Sequence, residues 1–336
     1  MNDRAATFDA ICAAYAVTRN GPARQVSERV WRLPTDAGDL AVKLYTSDQH
    51  ARATREAAVL AHLHAHDDAR FRVQTLCLTT TGEALWTGLD SHAMLTQWGT
   101  GQFKTYDTFT PDQWAALGAS LAALHLSLDR LRLPALDTLH ARLAAIDVDH
   151  VRSSLVDALD HPPPDTDTSH LRTYVDTSLR LIDEHYPGSI DAFPVDDPQH
   201  PIHNDYNQFN YLFDSDAERD RGLPPVILDW EAVIGAPREF ELVRCLNHLP
   251  LEAPALAEVF VHAYQQVRPV RVERIAWAVD AACLQHALKL WVVRGWLADP
   301  PRYDAHLRGA ATMASTMADA RGQLIDFFSR CVEAGS

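Results

Sequence analysis

Long apolar runs are missing from this 336-residue chain: nowhere do about 18 apolar residues follow one another, so no helical membrane span is expected. Cysteine is sparse. The five present, Cys12, Cys77, Cys245, Cys283 and Cys331, are odd in number and far apart, which excludes a disulfide framework and paired zinc spacing. Basic excess is absent too. A net charge of −15 argues against a nucleic-acid partner and is compatible with a cationic small-molecule substrate. The opening MNDRAATFDA carries acidic residues and no long apolar run, so no secretory leader is expected. A cytoplasmic chain with reduced thiols follows. No internal repeat or low-complexity tract is found.

What is present is a globular composition, 47% hydrophobic and 22% charged, long enough for one large core or two modest ones. Helical spacing of Phe8, Ile11, Cys12 and Tyr15 predicts a first helix over 3–18, ended by Gly21-Pro22. Two strands follow, 26–33 and 39–45, joined by the hairpin loop 34–38. A helix over 49–66 carries Ala57, Leu60, Ala61 and Leu63 on its apolar side. Further strands are expected at 71–80, 84–86 and 93–96. Gln97-Trp-Gly-Thr-Gly101 offers flexible backbone for a hinge, and beyond it the pattern turns helical. Thr110-Pro111 starts a helix through His125, because Thr caps and Pro suits the first turn. Pro162–Pro164 marks a loop. Helices are expected at 169–186, 239–249, 254–267, 272–297 and 304–333.

The chemistry concentrates in His203-Asn-Asp205-Tyr-Asn-Gln-Phe-Asn210 and in Pro225-Val-Ile-Leu-Asp229-Trp-Glu231. Phosphoryl transfer from ATP needs a carboxylate to orient and deprotonate a hydroxyl, and oxygen ligands for magnesium. Asp205 suits the first role; Asn210 and Asp229 suit the second. A charge ending an apolar strand, as Asp229 does, is costly unless it binds something. Lys43 lies in a strand-like run and shares a face with Ala41 and Tyr45, which also suits a solvated lysine. Glu56 begins the next helix, where a plain surface charge is the alternative. His62, His64 and His66 present helical spacing for a metal pair, but no third ligand is evident nearby, so a solvated face is the reading.

His-x-Asp-x-x-x-x-Asn resembles the catalytic loop of kinases, and Asp229 stands where protein kinases carry the Asp of Asp-Phe-Gly. With Asp-Trp-Glu in its place, the chain resembles the aminoglycoside phosphotransferase and choline kinase superfamily over about residues 20–300. The run Phe240–Asn247 looks like the corresponding helix of the homoserine kinase branch. This resemblance implies an α+β, protein-kinase-like two-lobed fold: a β-rich nucleotide-binding N-lobe over 1–97 and a mostly helical C-lobe over 98–336. It implies Asp205 as catalytic base, Asn210 and Asp229 on magnesium, Lys43 on the ATP phosphates with Glu56 as its partner, and His203 as support for the loop. Ser27 and backbone amides would cover the phosphates, there being no Gly-x-Gly-x-x-Gly, and the backbone of Met94, Leu95, Thr96, Gln97 and Trp98 would meet adenine. Glu231, Glu239 and Asp280 are candidates to approach the substrate, Glu231 alternatively a second metal. Asn204 departs from the superfamily, which usually places Gly or another small residue there.

The implied reaction is ATP- and magnesium-dependent transfer of phosphate to a hydroxyl of an amino alcohol, amino sugar, aminoglycoside or homoserine-like amino acid. A protein Ser/Thr kinase of the same fold is the first rival, against which no Ala-Pro-Glu segment follows Asp229. A non-catalytic nucleotide-binding protein is the second.

Overall fold

The computed structural model describes residues 2–214 and 223–334, and side chains from residue 4 on except those of 186–191. Two compact units emerge, one formed by 1–135 with 201–233 and the other by 136–200 with 234–336.

The first unit is built on a five-stranded antiparallel sheet. Helix α1 (Asn2–Ala14) precedes β1 (Arg24–Gln25), β2 (Val30–Thr35) and β3 (Gly38–Thr46). Helix α2 (His50–Ala65), β4 (Arg72–Val73), β5 (Leu85–Thr87), β6 (Ser91–Gln97) and α3 (Pro111–Leu128) follow. The sheet order is β1-β2-β3-β6-β5. Alternation decides its faces: Trp31 and Leu33 of β2, Leu40 and Val42 of β3, and Ala93 and Leu95 of β6 pack with Phe8, Ile11 and Cys12 of α1. The opposite face keeps Ala41 and Lys43, and β3–β6 pairing sets Lys43 beside Met94. Strand 71–80 shrinks to two residues, and the strand predicted from Val26 begins at Val30, because the backbone turns back on itself at Val26–Arg29.

Helix α2 buries Ala53, Glu56, Ala57, Leu60 and Leu63 along one stripe. Ala61, grouped with that stripe from the sequence, is exposed. Helix α3 starts as expected: the Thr110 side chain accepts from Gln113 N at 3.3 Å, and Gln113 returns a carbonyl to Thr110 N at 2.9 Å. After α3 the unit resumes with β7 (Pro201–Ile202), β8 (Tyr211–Leu212) and β9 (Val226–Ile227), where β9 lies between β4 and β8. Tyr206 anchors the stretch between β7 and β8 by donating its hydroxyl to Leu117 O of α3 at 3.0 Å.

The second unit is helical, with the short strand β10 (Ile234–Gly235). Its helices are α4 (Leu139–Ala144), α5 (Val148–Asp160), α6 (Ser169–Asp191), α7 (Arg238–Leu246), α8 (Leu249–Glu252) and α9 (Pro254–Gln265). They continue with α10 (Ile275–Ala287), α11 (Leu290–Ala298), α12 (Pro300–Asp319) and α13 (Arg321–Ala334). Leu155, Tyr174, Val175, Val293, Trp296 and Leu307 form its core. The continuous helix expected over 272–297 breaks near Leu288, where the Tyr174 hydroxyl donates to His286 O at 2.8 Å and accepts from Lys289 N at 3.0 Å. Helix 304–333 likewise divides at Ala320.

Gly101 is the position where the hinge sequence leaves no choice. Its φ is +147°, and a Cβ there would stand 2.2 Å from Phe213 O, whose partner in the same bridge is Gln102 N at 2.9 Å. Gly101→Ala is expected to destabilise the protein by roughly 1–3 kcal/mol, read as a lower denaturant midpoint with an unchanged slope.

Candidate active site

Every sequence-predicted chemical residue except Glu239 and Asp280 falls in the first unit, which contains a cavity of about 640 Å³. Lys43 of β3, Glu56 of α2, Asn210, Asp229, Ser27, Met94 and Thr96 line it. Asp205, His203, Glu231, Leu95 and Gln97 do not; Leu95 points into the core beneath α1, and Asp205 is held next to the cavity by Asn210. Trp98 of the expected hinge also lines it, and Phe103 and Phe209 add aromatic surface that the sequence had not pointed to.

Lys43 is the centre of the charge distribution. Its Nζ donates to both Glu56 oxygens at 3.0 Å and to Asp229 Oδ1 at 2.6 Å, and lies 3.0 Å from Glu231 Oε2. Burial opposes the charged ammonium, but Glu56, Asp229 and Glu231 outweigh it and hold the lysine above its ordinary value. Glu56 is 1% exposed, and burial pushes its carboxyl upward despite Lys43. The Tyr45 hydroxyl donates to Glu56 Oε2 at 2.6 Å and completes that carboxylate's shell. Burial, then Glu56, raise Tyr45 far above the usual phenol value, so it remains a donor. Glu231 behaves oppositely to Glu56: burial would raise it, but Lys43 and Arg29 prevail and lower it.

The segment from His203 to Asn210 is a hydrogen-bonded cradle for one carboxylate. Asn207 Nδ2 donates to Asp205 Oδ1 at 2.9 Å, and Asn210 Nδ2 donates to Asp205 Oδ2 at 3.0 Å. Asn207 in turn accepts from Phe209 N at 2.9 Å, an Asx turn that sets the loop's bend. Asp205 is half-buried, so its oriented carboxylate remains reachable. His203 Nδ1 accepts from Asp205 N at 3.2 Å, which leaves the proton on Nε2, 2.9 Å from Leu228 O. One imidazole thus ties the loop to the end of β9. Leu228 N donates to Asn210 O at 2.9 Å and repeats the tie.

Two left-handed residues shape this junction. Asn204 has φ +62°, a region that Asn tolerates best among side-chain-bearing residues. Its Nδ2 donates to Ala232 O at 3.1 Å, a bond no glycine could make. Asp229 also has φ +62°, which turns the chain off β9 and delivers its carboxylate to Lys43. Its side chain is 43% exposed, so it is a cavity-facing charge and not a buried one.

An oxygen-rich set suited to a hard divalent cation is present. Asn210 donates through Nδ2, which leaves its Oδ1 available to a cation. Glu56, Asp229 and Glu231 also bring one oxygen each within 4.8 Å of the others, but around the Lys43 ammonium, which already fills that cluster with positive charge. Asp229 belongs to both groups. His62 and His66, at the end of α2, do not form such a site: their rings stack at 4.2 Å, and each engages a backbone carbonyl at 2.9 Å.

In the second unit, Glu239 is buried, accepts from Arg271 N at 3.3 Å and lies 3.8 Å from Arg274. Asp280 receives both the Nε and Nη2 donors of Arg321.

The phosphotransferase enzyme family model matches residues 19–279. The chain belongs to the phosphotransferase enzyme family. Solved structures agree with this on fold, and the α+β protein-kinase-like expectation holds. Spectinomycin phosphotransferase APH(9)-Ia, in complex with ADP and spectinomycin, is 12% identical, with a TM-score of 0.64 over 95% of this chain and 98% of its own. A microcompartment-associated aminopropanol kinase is 17% identical, with a TM-score of 0.63 over 97% and 99%. Amicoumacin kinase hAmiN, in complex with AMP-PNP, Ca2+ and Ami, is 11% identical at TM-score 0.63 over 96% and 93%. No curated protein matches the sequence. This phosphotransferase has no helix, among the described residues, long and apolar enough to cross a membrane.

Arg29, Tyr45 and Asn207 are site residues that motif reading passed over. Tyr45 had a signal, since alternation puts it on the Lys43 face. Asn207 had a weaker one in its spacing from Asn210. Arg29 had none, because its place depends on strand register.

Removing Lys43 leaves Glu56 buried without its cation. Lys43→Met is expected to cost roughly 3–5 kcal/mol near neutral pH. Because Glu56 already sits above its ordinary pKa, protonation in the variant relieves the penalty, so the deficit shrinks as pH falls toward 4.5. Urea unfolding of both proteins across pH 4.5–8 measures it; a pH-independent deficit contradicts the account.

Proposed function

We propose that this phosphotransferase transfers the γ-phosphate of ATP, with magnesium, to a hydroxyl of a small molecule. The observation that carries the reading is the Asp205 carboxylate, fixed on both oxygens by Asn207 and Asn210 and still half-open, in the unit that holds the Lys43–Glu56 pair.

Asp205 accepts the acceptor hydroxyl's proton and aligns its oxygen with the γ-phosphorus. Positioning supplies most of the acceleration in such reactions, so two amide donors that stop the carboxylate from rotating matter more than its basicity. Lys43 draws in α- and β-phosphate oxygens, while Glu56 and Tyr45 hold its ammonium at the cavity wall. Asn210 and Asp229 would hold magnesium, which neutralises phosphate charge as the leaving oxygen develops. His203 stays a positioning residue, since both ring nitrogens are engaged with backbone groups.

Adenine lies against Met94, Thr96 and Trp98. Leu95 O accepts from Cys77 N, and Gln97 N and Trp98 N donate to Thr75 O and Asp39 O, at 2.9, 2.9 and 3.0 Å. The base edge is therefore read by the backbone from Trp98 O through Thr100. In this reading residues 1–97 form the nucleotide-binding lobe. The acceptor is an amino alcohol, amino sugar, aminoglycoside or homoserine-like amino acid, in line with the small molecules named with the similar structures and with a net charge of −15.

Asp205→Asn is nearly isosteric and loses the base, and its amide can accept from only one of Asn207 Nδ2 and Asn210 Nδ2. Its kcat is expected to drop by roughly 10²–10⁴ with ATP affinity close to wild type and a modestly lower thermal midpoint. Wild-type turnover in this variant would remove Asp205 from the chemistry.

A further inference from the structure

We propose that Arg29 is the phosphate-binding cation of the hairpin over the cavity, in place of the backbone amides of a glycine-rich loop, and that Glu231 holds it ready when no nucleotide is bound. This rests on the cavity being a nucleotide site.

The hairpin between β1 and β2 cannot offer its backbone freely. Val26 N and Ser27 N both donate to Val30 O, at 2.8 and 3.2 Å, so two amides that would face a phosphate are committed inside the turn. The carbonyls of Ser27 and Glu28 are held by Gln25 Nε2 at 3.0 and 3.2 Å. A glycine-rich loop binds phosphate by turning amides outward; this turn points them inward. Positive charge from the hairpin must then come from a side chain, and Arg29 is its basic residue in the cavity lining, alongside Lys43 of β3.

Register places it. Arg29 O accepts from Leu44 N at 2.9 Å, and Val30 pairs with Lys43, so the guanidinium enters the cavity near the lysine. Arg29 Nη2 donates to Glu231 Oε1 at 2.6 Å, while Glu231 Oε2 lies 3.0 Å from Lys43 Nζ. One carboxylate thus bridges the two cations. A phosphate group presents the same arrangement, oxygens on a common centre with negative charge toward each cation, and a guanidinium can meet it with two donors. Arg29 Nη1 is buried and has no hydrogen-bond partner, which leaves a donor that a phosphate oxygen would satisfy. Arg52, 3.9 Å from Glu231, lies at the outer edge of the same cluster. Nucleotide binding then exchanges one anion for another: phosphate displaces the Glu231 carboxylate from Arg29 and Lys43.

Calorimetric titration of the full chain with adenosine, ADP and ATP, in metal-free buffer, separates the possibilities. Arg29→Ala is expected to weaken ADP and ATP by about tenfold or more while adenosine binds as in wild type. Arg29→Lys should recover part of the loss. Glu231→Gln should bind metal-free ADP more tightly, since the competing charge is gone. The proposal is overturned if Arg29→Ala binds ADP with wild-type affinity, if it loses adenosine equally, or if Glu231→Gln weakens metal-free ADP. A wild-type chain that binds none of the three ligands overturns the nucleotide reading itself.

Discussion

The charge balance around Lys43 is the constraint on which the rest of the site depends. An ammonium only 12% exposed and a carboxylate 1% exposed would each lose several kcal/mol of hydration on their own. They are tolerable together, and only if strand β3, helix α2 and the turn after β9 each hold position. Glu56 comes from one, Lys43 from another, Asp229 and Glu231 from the third. The ion cluster is therefore a registration device as much as a binding site. It selects the backbone arrangement in which all four groups meet.

The loop from His203 to Asn210 answers to the same arrangement. The side-chain amides of Asn207 and Asn210 are turned toward Asp205, and His203 and Asn210 fasten the loop to Leu228, one residue before Asp229. Base and metal-ligand candidate are thus coupled through the polar contacts of His203, Asn210 and Leu228. The left-handed turns at Asn204 and Asp229 are strained for ordinary side chains and cost about 1–3 kcal/mol each elsewhere. Here the side chains that cause the strain also make the contacts that offset it.

Much of this was legible in the sequence because the groups recur at short, fixed spacings. Asp205 and Asn210 sit within one loop, Lys43 and Glu56 on consecutive elements, and Thr110-Pro111 announced a helix start that the structure carries. The residues that escaped notice act across longer separations. Arg29 reaches Glu231, 202 positions away, through strand register and a turn whose amides point inward. No local pattern encodes that. The helix expected over 272–297 failed for a similar reason: its break is enforced by Tyr174, far upstream, which takes the hydrogen bonds that a continuous helix would have kept. Glu239 and Asp280 looked chemically available as isolated acids. The structure shows each engaged by arginine in the second unit, a fact that depends on which helices become neighbours.

Direct detection of the transferred phosphate tests the central claim. Wild-type protein is incubated with ATP, magnesium and a panel of amino alcohols, amino sugars, aminoglycosides and hydroxyl amino acids, and the products are read by phosphorus NMR. The expected result is a phosphate ester on one acceptor class, formed in step with ADP and absent when Asp205→Asn replaces the wild type. Phosphate appearing only on protein serine or threonine, or an ester formed equally by the Asp205→Asn variant, would contradict it.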